Sequence, residues 1–173
     1  MLRYQEHNWY AIYTRCRFEK KIYSRIQKLG IEAFLPLIKE ERVWSDRVKT
    51  VEIPLLPSYV FVRTIDSELS NLYYIPGFVR IVSFEGKPYK INEKDIELIK
   101  TIIVGGIPIE HTNHCTKGDR VKVVRGPLKD WEGYVQEIRG QSRITFYFDG
   151  IDQFLSVEIA MQDVEIILRR ATA

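Results

Sequence analysis

The sequence has few of the residues from which covalent frameworks and metal sites are built. Its 173 residues include two cysteines and three histidines. Cys16 and Cys115 lie far apart, which predicts reduced thiols in a cytoplasmic protein rather than a disulfide scaffold. His111, His114 and Cys115 could supply three zinc ligands, but they lack the paired spacing of structural zinc sites. We therefore expect no metal and no cofactor.

Long hydrophobic runs and a strong charge excess are also missing. No stretch approaches the roughly 20 apolar residues of a membrane span, and the N-terminus lacks a signal pattern, so we expect no membrane partner. The net charge of +3 is too small for a protein that wraps nucleic acid. Residues 1–104 hold 17 Lys and Arg against 13 Asp and Glu, so a local nucleic-acid contact in that part stays open.

Catalytic motifs are not recognisable in the sequence. It contains no glycine-rich phosphate loop and no nucleophile elbow. Cys16 lies between Arg15 and Arg17, but its segment has no histidine that could act as a base. We predict that the protein is not an enzyme.

Residues 1–104 alternate predicted strands and helices. Trp9–Tyr13 is typical of a strand, and the apolar spacing of Arg17–Leu29 predicts an amphipathic helix that ends at Gly30. Residues 31–43 and 48–53 predict a hairpin. The remaining predicted elements are a short helix with Leu69, Leu72 and Tyr73 that Asp66 or Ser67 caps, a strand at Phe78–Val82, and a helix with Ile96, Ile99 and Ile103 that Asn92 caps.

The stretch Leu55–Arg63 is predicted to be a strand, because β-branched and aromatic residues dominate it. Alternation places Val60 and Val62 on one face, and Tyr59 and Phe61 on the other. If the valines are buried, the two aromatic side chains need a second cover. That cover is either a helix of the same chain or a partner protein.

Two basic features accompany these elements. Lys21, Arg25 and Lys28 follow Arg17 at helical spacing, and the ridge they form is either solvated or contacts a phosphate backbone. The predicted hairpin tip is the second feature. Its side chains are a solvated arm or a nucleic-acid or protein contact, and they are Arg42, Trp44, Arg47 and Lys49.

The pattern changes after residue 104. Residues 105–115 are rich in Gly, Pro, Thr and Asn and predict a flexible linker. Residues 116–170 hold five short strand patterns about ten residues apart, as in a small β-barrel. We predict an α+β protein, with an antiparallel or mixed sheet flanked by helices in residues 1–104 and a small SH3-like barrel in residues 116–170.

The order of motifs resembles the NusG family of transcription elongation factors. The amino-terminal (NGN) domain of that family is matched by Trp9-Tyr10, Phe34-Leu35-Pro36, Pro57–Val62 and Pro76–Val79. The family's KOW motif is matched by Gly118–Val123, Gly126-Pro127 and Gly133. Val43–Arg47 and Leu55–Val62 are most similar to the specialised UpxY type, relatives of RfaH that antiterminate capsular polysaccharide operons. Ser58 stands where many members have glycine.

This resemblance implies a monomeric factor that binds RNA polymerase and suppresses pausing and termination. It places the contact with the polymerase clamp helices on Tyr13, Pro57, Tyr59 and Phe61. It places a second polymerase contact on Glu68, Leu69 and Ser70. It places a weak contact with the non-template DNA strand on Arg15, Arg17, Lys21 and Arg25.

The resemblance also implies a separate partner for the KOW domain, either the ribosome or a termination factor. Its candidate contacts are Phe146, Phe148 and Phe154, although at least two of these are expected to fill the barrel instead. The alternative function is a ribosome- or RNA-binding KOW protein without polymerase binding. The first 104 residues argue against it, because such a protein has no need for that domain and is usually far more basic.

Overall fold

The computed structural model describes residues 6–44, 47–112, 118–138 and 141–169. Contacts divide the chain into two compact units, Met1–Glu93 and Lys94–Ala173. The division falls at the start of the second helix, earlier than the boundary after Val104 that composition predicts. No helix within the described ranges is long and apolar enough to cross a membrane.

The first unit is built on a five-stranded antiparallel sheet with strand order β2-β5-β1-β6, in which β9 also pairs with β1. Its elements in chain order are β1 (Asn8–Thr14), α1 (Glu19–Lys28), β2 (Glu32–Phe34), β3 (Leu37–Val43), β4 (Val48–Pro54), β5 (Tyr59–Thr64), a 3₁₀ helix (Asp66–Tyr74), β6 (Phe78–Ile81), β7 (Ser83–Phe84), β8 (Lys87–Pro88) and β9 (Lys90–Ile91). Strands β3 and β4 pair with each other, as do β7 and β8, in two separate hairpins.

Helix α1 is shorter than predicted because Arg17 lies outside it. Arg17 has φ +65°, in the left-handed region, within the turn that precedes the helix. The predicted end at Gly30 is confirmed by a Schellman motif, in which the Gly30 and Ile31 amides donate to Gln27 and Ile26. Ile22 and Ile26 are fully buried, as their spacing predicts.

The core of the first unit lies between one face of the sheet and the two helices. Val60 and Val62 lie on this face, together with Tyr10, whose hydroxyl donates to Asp66. Burial, and then that hydrogen bond, raise the pKa of Tyr10. Asp66 therefore does not cap the 3₁₀ helix, which has no side-chain cap. The cluster is Tyr10, Ile12, Ile22, Ile26, Leu35, Val60, Val62, Leu69, Leu72, Ile75 and Ile81.

The second unit contains α2 and a six-stranded antiparallel sheet. The elements are α2 (Glu93–Val104), β10 (Ile109–Thr112), β11 (Arg120–Val123), β12 (Glu132–Ile138), β13 (Gln141–Phe148), β14 (Gln153–Glu158) and β15 (Val164–Leu168), with strand order β10-β14-β13-β12-β11-β15. Five of these strands match the predicted ones. Strand β10 lies within the predicted linker and forms because β14 supplies hydrogen-bond partners far away in sequence.

Close packing in the second unit explains one glycine of the KOW-like motif. A Cβ atom at Gly133 would lie 2.8 Å from both Ile144 Cγ1 and the Thr145 carbonyl oxygen. Across the next strand pair, β13 and β14, the buried hydroxyls of Thr145 and Ser156 lie 2.6 Å apart and satisfy each other. On α2, burial and the nearby Asp149 carboxylate raise the pKa of Asp95 to about 6.

Candidate functional site

An accessible aromatic pair lies on the face of the first unit's sheet that is opposite the core, at one end of β1 and β5. Tyr13 on β1 lies directly opposite Tyr59 on β5. Their ring centroids are 5.4 Å apart and the rings meet edge to face at 68°. Both side chains are half-buried, so each rests on the sheet and still presents part of its ring to solvent. Aromatic pairs of this kind are common at the centre of protein interfaces.

Arg80 completes this site, and sequence reasoning missed it. Arg80 on β6 lies opposite Tyr13, with its guanidinium carbon 5.1 Å from the centroid of the Tyr13 ring. The side chain is exposed, so the stacked guanidinium can also donate hydrogen bonds to a carboxylate of a partner. The available signal was a cation in the middle of the apolar run Phe78–Val82. We call Tyr13, Pro57, Tyr59 and Arg80 the tyrosine surface.

The turn before β5 holds this surface in place. The strand begins at Tyr59, later than predicted, because Pro57 and Ser58 form a turn. Ser58 has φ +66°, in the left-handed region that glycine adopts without strain. This explains why glycine suits this position in the family that the sequence resembles. Its amide donates to Glu19 Oε1 at 2.8 Å, and its carbonyl accepts the Thr14 amide at 2.8 Å. Pro57 is exposed at the tip of the turn.

Phe61 is covered, so the expectation of an exposed aromatic pair with Tyr59 is not met. Its side chain is 1% exposed and stacks on Phe34 with ring centroids 6.2 Å apart. Phe61 lies in the middle of β5, between β1 and β2, whereas Tyr59 lies at the start of the strand. The structure therefore brings together Tyr13, Pro57 and Tyr59 of the four predicted residues, and it places Phe61 in the interior.

The predicted basic residues are all on the surface. Arg15 follows the end of β1 beside the tyrosine surface, and its amide donates to the Gly77 carbonyl at 2.8 Å. Lys21 and Arg25 lie one turn apart on α1, and Lys21 Nζ is 5.2 Å from the centroid of the Phe18 ring. Arg17 does not continue this helical ridge, because it lies in the preceding turn.

The second predicted polymerase contact is divided between core and surface. Leu69 is buried in the core cluster of the first unit, so it cannot touch a partner directly. Glu68 is half-buried and accepts a hydrogen bond of 2.6 Å from the Thr64 hydroxyl. Ser70 is exposed. Leu69 thus fixes the 3₁₀ helix on which Ser70 is presented.

The phenylalanines of the second unit follow the same division. Phe146 and Phe148 are buried in the sheet core. Phe154 is half-buried and stacks on Tyr147, with ring centroids 4.7 Å apart. The Tyr147 hydroxyl donates to Asp152 at 3.1 Å, and this hydrogen bond orients the Tyr147 ring. Two of the three residues fill the core, as expected, and Phe154 remains a candidate contact.

No group of metal-binding side chains is present in the described ranges. Cys16 is exposed in the turn before α1. His114 and Cys115 of the considered zinc cluster lie outside the described residues, as does the side chain of His111.

Comparisons with known proteins agree with this architecture. Residues 7–100 match the family model described as transcription termination factor nusG. The transcription termination/antitermination proteins NusG of Staphylococcus aureus strains Mu50 and N315 are each 25% identical over 180 residues, which cover 91% of this chain and 94% of theirs. A solved structure on domain interaction in Thermotoga maritima NusG has a TM-score of 0.56 and 23% identity. It covers 94% of this chain and 98% of that one, and it confirms the α+β fold. Because the family model matches more than half of its residues, the chain belongs to the NusG family of transcription termination and antitermination proteins.

Proposed function

We propose that this protein binds RNA polymerase through the tyrosine surface and suppresses pausing and termination. The observation that carries the proposal is the accessible Tyr13–Tyr59 pair with Arg80 stacked beside it. Two amphipathic rings next to a cation suit a helical hairpin that carries both apolar and acidic side chains. The clamp helices of the polymerase are the partner that the family resemblance implies.

The contacts around this surface divide between two further regions. Arg15, Lys21 and Arg25 are exposed cations that extend from the tyrosine surface along α1, and we assign them to the non-template DNA strand. The exposed Ser70 and the half-buried Glu68 are the accessible residues for a second polymerase contact. Bridging two parts of the polymerase would hold its cleft closed on nucleic acid, and no covalent chemistry is required.

The finer assignment is an operon-specific antiterminator for capsular polysaccharide genes, of the UpxY and RfaH type. The similarity of Val43–Arg47 and Leu55–Val62 to that type supports it. In the second unit, the Tyr147–Phe154 pair is the proposed contact for the ribosome or a termination factor. Phe146 and Phe148 support that surface from the core.

The test is the affinity of the double variant Tyr13→Ala/Tyr59→Ala for RNA polymerase core enzyme. We expect at least about a 30-fold loss, because an interface hot-spot residue contributes about 2 kcal/mol or more. Tyr74→Ala is the matched control, since this tyrosine is 89% exposed on the 3₁₀ helix and packs little. Circular dichroism establishes that both variants fold.

Unchanged polymerase affinity in the folded double variant would overturn the assignment. Binding of the wild-type chain to ribosomes or RNA, with no measurable affinity for polymerase, would favour the alternative KOW-protein function. The control variant should bind polymerase with wild-type affinity.

A further inference from the structure

The β3–β4 hairpin is a separate two-stranded arm that the proposed polymerase contact does not use. Its ladder runs from Leu37 opposite Pro54 to Val43 opposite Val48, a length of about 20 Å. The base is fixed to the unit, because the Leu55 amide donates to the Pro36 carbonyl at 2.8 Å and Lys20 Nζ donates to the Glu52 carbonyl at 2.8 Å. The outer part is exposed on both strands, so the arm carries surface without contributing a core.

One face of the arm collects cations around a tryptophan at its tip. Arg42 lies directly opposite Lys49. Trp44 and Arg47 close the hairpin through a 2.8 Å hydrogen bond from the Trp44 amide to the Arg47 carbonyl. Since side chains two residues apart on a strand share a face, these four side chains lie on the same side. Trp44 is 53% exposed, so a large part of its ring is available to a ligand.

This arrangement is unfavourable for the hairpin alone. Like charges directly opposite each other on neighbouring strands are destabilising, and Arg42 and Lys49 have this relation. Glu40 compensates in part, with Oε1 at 3.4 Å from Arg42 Nε on the exposed surface. An anion that binds between the two strands would neutralise the remaining charge. A planar group beside that anion would cover the Trp44 ring.

Two of the four carboxylates of the arm lie away from Arg42 and Lys49, whereas Glu40 lies beside Arg42. The arm holds four acidic and four basic residues. Glu52 is at the anchored base, where Lys20 Nζ lies 3.9 Å from its carboxylate, and Glu41 is on the other face, opposite Thr50. Asp46 lies outside the described residues. Among the described residues, cations therefore outnumber carboxylates near the tip, although the arm as a whole has no net charge.

We propose that the face formed by Arg42, Trp44, Arg47 and Lys49 binds single-stranded nucleic acid. Arg42 and Lys49 contact phosphates, and an unpaired base stacks on Trp44. Stacking requires a base that is not enclosed in a duplex, which favours single strands over double helices. The ligand chemistry is common to DNA and RNA, and the experiment distinguishes them. The inference does not depend on binding of RNA polymerase.

The test uses the full chain and fluorescein-labelled 12-nucleotide DNA and RNA of mixed sequence, with the corresponding duplexes, in fluorescence anisotropy. We expect single strands to bind more tightly than duplexes, and Trp44→Ala to weaken single-strand binding about tenfold. Trp44→Phe keeps an aromatic face and should recover most of the affinity. Preference for the DNA or the RNA strand identifies the source of the ligand.

Charge variants test the phosphate contacts separately. Arg42→Glu/Lys49→Glu should lower the slope of log affinity against log salt by at least about 1.4, since each single-strand phosphate contact contributes about 0.7. Lys87→Glu/Lys90→Glu makes the same change in net charge on exposed residues outside the arm, and it should leave the slope nearly unchanged.

Two results would overturn the proposal. One is single-strand affinity that is unchanged by Trp44→Ala. The other is an equal loss of affinity in the arm pair and the Lys87/Lys90 pair, which would show that net charge alone governs binding. Either result would leave the arm as a candidate contact for a protein.

Discussion

Replacing Gly77 with alanine should destabilise the first unit by about 2–4 kcal/mol, of which left-handed strain supplies about 1–2 and overpacking most of the rest. Gly77 has φ +96°, and a Cβ atom there would lie 2.3 Å from Phe18 Cδ1 and 2.9 Å from Phe18 Cβ. Because Phe18 Cβ is next to the backbone, rotating the ring cannot relieve the second contact. Urea denaturation of the full chain measures the effect.

Gly30→Ala is the matched control for this prediction. Gly30 has φ +76°, but an added Cβ atom would have no neighbour within 4 Å. It should therefore show the backbone strain alone, about 1–2 kcal/mol. Equal destabilisation by the two variants would show that the Phe18 contact carries no cost. The difference matters for the site, because the Gly77 carbonyl accepts the Arg15 amide at the end of β1.

Removing the Glu19 carboxylate should loosen the turn beneath the tyrosine surface. Glu19→Ala is expected to cost about 1.5–3 kcal/mol, the range for a hydrogen bond to a charged group. Glu19 is 4% exposed, and its Oε1 accepts the Ser58 amide at 2.8 Å. Ser58 lies in the left-handed region between Pro57 and Tyr59. Without this acceptor, the turn should exchange among conformations and position both neighbours less well.

Amide hydrogen exchange at Ser58 measures this effect directly. We expect Glu19→Ala to speed exchange at least about tenfold, which corresponds to a loss of 1.4 kcal/mol or more in local stability. Glu19→Gln retains a side-chain oxygen at the same position and should preserve much of the protection. If the Ser58 amide exchanged at the wild-type rate in Glu19→Ala, the bond would not control the turn.

Local sequence patterns predicted most of the regular structure. Helix α1 was recognisable because Ile22 and Ile26 recur at helical spacing and Gly30 supplies a left-handed end. Five strands of the second sheet were recognisable because alternating patterns are separated by turn residues. Strand β10 was not, since its sequence has no strand pattern and it forms through pairing with the distant β14.

The candidate site was predicted only in part because it depends on contacts between strands. Alternation placed Tyr59 and Phe61 on one face correctly, but it could not show that Phe61 stacks on Phe34. In the same way, the sequence marks Arg80 only as a cation within an apolar run, and its position over Tyr13 follows from the β1–β6 register. By contrast, the left-handed conformation of Ser58 is the one expected from the family that the sequence resembles, because many of its members have glycine at this position.

The arm and the tyrosine surface of the first unit are suited to different partners. The tyrosine surface offers rings and a guanidinium, which suit a protein partner. The arm offers cations and an exposed ring about 20 Å from its anchored base, which suit single-stranded nucleic acid. Variants in one feature should therefore leave the binding of the other partner intact.

The most direct test of the central claim is site-specific photocrosslinking in a reconstituted elongation complex. The photoreactive residue benzoylphenylalanine replaces Pro57 in one variant and Tyr74 in another, both of which are exposed. Our account predicts that position 57 crosslinks to the clamp helices of RNA polymerase and that position 74 does not. Crosslinking to the clamp helices from position 74 alone, or from neither position while the protein remains bound, would contradict it.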